Sequence, residues 1–335
     1  MTNCLTMLCG GWVQFGICKI IPPGGWRMPL DEMGNLQFQT KTQKVHEFQQ
    51  GKLFGTGKTY SIESYRKMAS EFEERWYSEH REFGRGDVAA ITRKFWEIVC
   101  YGAEDLTVEY GSDVSRSSAC SEEKREPRSG ASILEQVWDL QSFSRQSGFL
   151  FEHLADSIDG MTEPWLYFGM LFSGFSFHTE DSWLFSVNYH HWGAPKVWYG
   201  IPSAAADKFE KVMKDNLLTR FQESPDLLHA LVALLSPEVL KKNKIPVYQA
   251  VQRPGEFIIT CPRAYHGGFN AGLNCAEAVN FALPSWIPYG IESRKSYFRF
   301  GKAQSLNLDK LIHAVARKSR HPEQVAWWVV VSRPC

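Results

Sequence analysis

Residues 165–201 read WLYFGMLFSGFSFHTEDSWLFSVNYHHWGAPKVWYGI. Aromatic and β-branched residues come in short runs here, each broken by Gly, Asp or Pro, and that spacing predicts strands over 165–172, 175–180, 183–190 and 195–201. The same punctuation returns at 246–252, 256–260, 265–269 and 274–282. Strands this short and regular suggest a mainly β fold, a double-sheet barrel of the jelly-roll or cupin kind.

Outside this core the chain reads differently. Helical periodicity over 204–217 and 225–235 predicts an inserted helical segment. Upstream, Tyr65, Met68, Phe72 and Trp76 recur at spacings of three or four within 60–82, with capping residues at Ser61-Ile62-Glu63-Ser64. A second helix is expected over 87–99. Residues 1–58 are rich in Gly, Pro and polar residues, and their apolar cluster 17–21, closed by Pro22-Pro23, predicts a strand that pairs with the main body. Residues 115–132 are Ser-rich, charged and almost without apolar residues, which predicts a mobile loop. From Gly290 a helix begins, followed by a tail of no clear type. The expected division is 1–58, 59–114, 115–132, 133–290 and 291–335.

The 335 residues, 44% hydrophobic and 14% aromatic, suffice for a packed interior. Lys plus Arg and Asp plus Glu each total 37, so nothing predicts non-specific attraction to nucleic acid or to an anionic membrane. The eight cysteines form no C-x-x-C pair, which suggests a reduced, intracellular protein without structural zinc. The apolar run 325–331 is too short to span a bilayer. Lys241-Lys242-Asn243-Lys244 is read as a solvated helix end rather than an import signal.

The chemistry-bearing residues cluster in the barrel. His178 and Glu180 are two apart on an expected strand and so leave one face of the sheet. With His266, in a Gly-flanked strand where backbone can approach a metal closely, they make two imidazoles and one carboxylate. Such a set holds one face of an iron(II) ion and leaves the other open. The bland alternative for H-x-E alone is a surface pair or a satisfied core histidine. Asn188 and Lys196 lie at even offsets from His178, which keeps them on its face. A lysine among Pro195, Val197, Trp198 and Tyr199 is costly to bury unless an anion meets it; otherwise it reaches solvent. His190 and His191, being consecutive, point to opposite faces. His46, His80, His153, His229, His313 and His321 are read as surface or packing residues, and Cys261 and Cys275 as buried hydrophobes.

Taken in order, the stretches 165–170, 178–181, 186–189, 191–200, 262–270 and 276–281 resemble the JmjC histone lysine demethylases, most closely the branch acting on lysine 4 of histone H3. Gly16 to Pro23 also resembles the end of the companion JmjN segment, here expected to be truncated. The likeness covers about 60–110 and 135–295, with no substitution at the motif positions named next.

The resemblance implies a JmjC double-stranded β-helix and carries roles over position by position. His178, Glu180 and His266 match the iron ligands. Lys196 matches the partner of the distal carboxylate of 2-oxoglutarate, Asn188 and Tyr110 its other hydrogen-bonding partners. Phe175, Ser186 and Trp198 flank the co-substrate, while Tyr167 and Asn280 match residues lining a methyl-lysine pocket. Ala278 stands where relatives acting on lysines 9 and 36 tend to have serine. Iron(II), 2-oxoglutarate and dioxygen are the implied cofactor and co-substrates; the histone H3 tail and chromatin complexes are the implied partners, in the nucleus. Alternatives of other classes are a JmjC protein hydroxylase and an inactive chromatin-binding scaffold. The zinc finger and reader modules common in that branch have no counterpart here, so no structural zinc and no sequence-specific nucleic-acid binding are expected.

Overall fold

A computed structural model of the chain describes residues 13–23, 27–28, 36–115, 137–223 and 233–318. Within them the strands are β1 (Ile17–Ile20), β2 (Gln37–Lys44), β3 (Gly55–Ser61), β4 (Thr107–Ser115), β5 (Trp165–Gly169), β6 (Gly174–His178), β7 (Phe185–Gly193), β8 (Lys196–Ile201), β9 (Tyr248–Gln252), β10 (Phe257–Thr260), β11 (Tyr265–Asn270) and β12 (Asn274–Phe281). The larger sheet runs β1-β10-β7-β12-β5-β4-β2-β3 and the smaller runs β6-β11-β8-β9. Every pairing is antiparallel. The expected jelly-roll barrel is therefore present, two sheets facing one another with helices outside.

Alternation along the strands sorts the side chains between core and interior. In β7, Val187 and Tyr189 join the apolar cluster behind the larger sheet, while Ser186 and Asn188 line a cavity between the sheets. In β8, Val197, Tyr199 and Ile201 pack behind the smaller sheet, and Trp198 faces inward beside Ile17 and Ile258.

The helices cover the two outer faces. Helix α1 (Ile62–Glu79) starts at a reciprocal cap, Ser64 N–H donating to Ser61 Oγ at 3.1 Å and Ser61 N–H to Ser64 Oγ at 2.9 Å. Helix α2 (Val88–Tyr101) is capped by Asp87 and stopped by Gly102, whose φ of 62° is one a side chain resists. Its Phe95 stacks on Phe269 of β11, centroids 4.0 Å apart, a contact worth about 1 kcal/mol beyond burial. Helix α3 (Ala206–Asn216) packs Phe209 onto Phe177 and Tyr265. Helices α4 (Ile287–Arg299) and α5 (Leu308–Lys318) close the other side, α5 through Leu308, Leu311 and Ile312.

Several expectations need correction. Strands β2, β3 and β4 extend the larger sheet through stretches read as polar or helical. Their inward residues include Thr40 and Gln43, both buried but polar, so no apolar alternation marks β2. Strand β1 pairs with β10 as expected, Ile17 opposite Thr260. The helix expected over 225–235 falls mostly outside the described residues. Its last part, Ala233 and Leu234, is not helical: Ala233 O accepts from Phe177 N–H and Leu234 N–H donates to Phe48 O. Lys241 and Lys242 are the exposed end of a short helix, Pro237–Lys242. Helix α5 was not expected. The loop beyond Ser115, His229, His321 and the run 325–331 lie outside the described residues.

Candidate metal and co-substrate site

Strands β6 and β11 are neighbours, and the register sets His178 directly opposite His266. Their ring centroids are 4.3 Å apart. Glu180 lies just beyond the end of β6 rather than on it, in extended backbone (φ −63°, ψ 154°), and reaches back so that Oε1 is 3.2 Å from His266 Nε2. One donor atom from each of the three residues lies within 4.8 Å of the others.

The imidazoles are oriented from behind. His178 Nδ1 sits 2.8 Å from Ser176 O and His266 Nδ1 3.0 Å from Ala264 O. Each Nδ1 faces a backbone carbonyl, which fixes the ring and turns its Nε2 toward Glu180. Burial, reinforced by the neighbouring His266, holds the His178 pKa down to about 4. Burial would raise Glu180, but the hydrogen bond from His266 prevails and brings it to about 2. Near neutral pH His178 is uncharged and Glu180 ionised, the forms a metal requires. Two nitrogens and one oxygen on one side of a point, with the cavity on the other, suit ferrous iron.

Asn280 was expected to line a substrate pocket. Its Nδ2 donates to Glu180 Oε2 at 2.9 Å and to Phe185 O at 3.2 Å, so its amide braces the carboxylate.

Lys196 is 2% exposed. Its Nζ donates to Tyr110 Oη at 3.3 Å and lies 4.7 Å from the Phe175 ring centroid. No carboxylate of the described residues pairs with it, and burial lowers its pKa to about 7. A buried cation with no carboxylate among the described residues to pair it is costly, and a carboxylate ligand would relieve that cost.

The parity argument fails for Asn188, although the residue still reaches the cavity. Asn188 stands on the opposite sheet from His178 and meets it across the interior, whereas Lys196 shares His178's sheet. Phe175, an odd number of residues from His178, also faces the cavity. An irregularity in the β6–β11 register, between the His266 and Gly268 pairs, turns it inward. The glycines of β11 also serve a purpose other than the expected one. A Cβ on Gly268 would lie 1.9 Å from Val197 O, and one on Gly267 2.9 Å from Phe177 N, so they admit neighbouring strands rather than a metal.

A cavity of about 370 Å³ joins these parts. His178, Glu180, His266, Tyr110, Tyr167, Phe175, Ser186, Asn188 and Trp198 line it, and Lys196 and Asn280 touch residues that do. Ser186 Oγ is 2.6 Å from Thr260 Oγ1. At the mouth Tyr167 contacts Asp113, whose carboxylate also takes Lys41 Nζ at 2.6 Å.

Gln252 escaped sequence reasoning. Fully buried, it accepts from Trp198 Nε1 at 2.8 Å and donates to Asn188 Oδ1 at 3.0 Å, which leaves the Asn188 amide hydrogens for the cavity. A polar residue closing the strand YQAVQ was the available signal. His190 and His191 do take opposite sides: His190 Nε2 is 3.1 Å from Trp192 O, and His191 Nε2 2.7 Å from Glu277 Oε2. Cys261 and Cys275 are buried thiols.

Residues 165–281 match the family described as JmjC domain, hydroxylase. This chain carries a JmjC domain. It is 42% identical over 275 residues to lysine-specific demethylase JMJ17 of Arabidopsis thaliana, covering 79% of this chain and 22% of that protein. It is 36% identical over 306 residues to lysine-specific demethylase 5B of Gallus gallus, covering 89% and 19%. With lysine-specific demethylase JMJ703 of Oryza sativa subsp. japonica it shares 33% over 355 residues, covering 91% and 29%. The chain spans less than a third of the length of each of these relatives. The JmjC match contains both histidines and the glutamate, so the metal-competent cluster belongs to the shared part. Among the described residues no helix is long and apolar enough to cross a membrane.

Proposed function

We propose that this chain is the catalytic part of an iron(II)- and 2-oxoglutarate-dependent histone lysine demethylase, acting on methylated lysine 4 of histone H3. The carrying observation is that the His178–Glu180–His266 cluster and the buried Lys196, paired with no carboxylate among the described residues, both belong to one barrel interior. Ferrous iron, when bound, supplies the redox chemistry that couples decarboxylation of 2-oxoglutarate to oxidation of an N-methyl C–H bond. His178, Glu180 and His266 would hold the ion from one side and leave room for a chelating keto acid and dioxygen.

The rest follows from the chain's own groups. Lys196, Tyr110 and Asn188 bind the distal carboxylate, and charge-assisted hydrogen bonds fix its orientation. Phe175 and Trp198 flank the carbon chain and exclude water; Ser186 lies beside them. Tyr167 receives the methylated ammonium against its ring face, where a quaternary cation is favoured without any N–H to donate. Asp113 adds negative charge at the same mouth. Asn280 holds Glu180 in its ligating pose. Because the oxidised group is a C–H bond and no nitrogen lone pair is needed, trimethyl-lysine is chemically accessible. The relatives named as lysine-specific demethylases support histone as the substrate, and with it action in the nucleus within chromatin complexes. Ala278, which lines the cavity, is compatible with lysine 4. The strand β1 fits the end of a JmjN segment.

The test is incubation of histone H3 peptides, methylated singly at each candidate lysine, with iron, ascorbate and 2-oxoglutarate, read by mass spectrometry. Loss of one CH2 per turnover at lysine 4, abolished in His178→Ala, is expected. Gain of one oxygen instead would make the protein a hydroxylase; loss at another lysine would overturn the site assignment. No succinate with any peptide would leave a binding scaffold.

A further inference from the structure

Two stretches of strained backbone flank the metal-competent cluster. Ser182 and Trp183 have φ of 53° and 51°, and Arg263 has φ of 57°. Left-handed backbone is rare for a residue with a large side chain, and two in succession persist only where the surroundings impose them. The first pair begins two residues after Glu180, and Arg263 stands three before His266.

The surroundings do impose them. Trp286, fully buried, donates Nε1–H to Ser182 O at 3.0 Å. Tyr297 of α4 donates its hydroxyl to Asp181 Oδ1 at 3.0 Å, and Gln304 Nε2 donates to Ser182 Oγ at 3.3 Å. The two strained stretches also meet: the Arg263 guanidinium lies over the Trp183 ring, 4.6 Å from its centroid. Arg263 is held from the other side by Asp207 and Glu210 of α3, the latter at 3.5 Å.

We infer that the Trp183–Arg263 contact, together with Trp286, Tyr297 and Gln304, is a positioning device that presents Glu180 and His266 to the metal. The inference rests on the metal reading of the cluster. Relaxed, either turn would swing the adjoining ligand, since only one residue, Asp181, separates Glu180 from the first strained position. The helices after the barrel thus act on metal affinity through backbone strain, and the cost of that strain is met by contacts remote from the chemistry.

Cobalt(II), followed by its visible absorption, is the probe, with thermal unfolding of metal-free protein as the check on folding. Tyr297→Phe removes one anchor and Arg263→Lys keeps the charge but loses the planar stack. Each is expected to weaken cobalt(II) binding about tenfold, the scale of groups that hold a ligand from behind, and to alter the absorption band. Glycine adopts left-handed backbone without strain. Adding Ser182→Gly to Tyr297→Phe should therefore recover most of the lost affinity, which a merely structural role of Tyr297 would not allow. Unchanged cobalt(II) affinity in both folded single variants overturns the inference, as does equal loss with and without Ser182→Gly. A wild-type chain that binds no cobalt(II) would sink the metal reading itself, and this inference with it.

Discussion

Lys196 and Tyr110 meet across the barrel, Nζ 3.3 Å from Oη, although their strands belong to opposite sheets. The hydroxyl accepts a hydrogen bond without neutralising the ammonium, so the positive charge stays available to a ligand. Lys196→Met should raise the KM for 2-oxoglutarate about 10- to 100-fold, the worth of a hydrogen bond to a charged group. Metal-free protein should be no less stable, because an uncompensated buried charge has gone. Succinate formation against co-substrate concentration, with thermal melts, checks both; an unchanged KM would remove Lys196 from the binding site.

The same lysine predicts proton linkage. Its folded pKa of about 7 lies below that of an unfolded lysine, about 10.4. Between these values the unfolded chain binds the extra proton, so this group makes metal-free protein more stable as pH rises through that window and contributes no slope below it. A bound dicarboxylate favours the charged form. Binding of N-oxalylglycine, an unreactive analogue, should take up close to one proton at pH 8 and much less at pH 6, read by calorimetry in buffers of different ionisation enthalpy. Equal uptake at both would contradict a depressed lysine.

Asn280 offers a choice between two roles. As a brace for Glu180, its replacement by Ala should weaken metal binding about 10- to 100-fold. A residue that only lined the substrate pocket would leave metal affinity intact and raise the peptide KM. Titration of the metal-free variant with cobalt(II) separates the two.

Gly268→Ala should be among the most damaging small changes. Its Cβ would lie 1.9 Å from Val197 O and 2.8 Å from the Phe175 ring, and backbone cannot give way as a flexible side chain can. A destabilisation of at least about 3 kcal/mol is expected from such overpacking, measured by urea unfolding. Wild-type stability would mean that β8 and β11 lie farther apart than described.

Aromatic and β-branched runs made the eight strands from β5 to β12 legible, along with α1, α2 and their caps. Strands β2 to β4 were not, because Thr40, Gln43 and Tyr110 turn polar atoms inward and erase the apolar alternation. Of the site, His178, Glu180 and His266 were readable as residue types and by resemblance. Their convergence depends on a long-range register that no local spacing encodes. Phe175 needed the irregular β6–β11 register, and Gln252 matters only because β9 pairs with β8, Lys196 opposite Gln252. The strain at Ser182 and Trp183 has no signature, since neither is glycine or asparagine.

That pairing of His178 with His266 also makes the centre a timekeeper of assembly. A nascent chain stopped anywhere before β11 has only two of its three donors, and no amount of local order in the first half can supply the other. Iron uptake must then follow closure of the whole barrel, and ribosome-bound fragments of increasing length should acquire the metal in a single step once β11 and β12 have emerged.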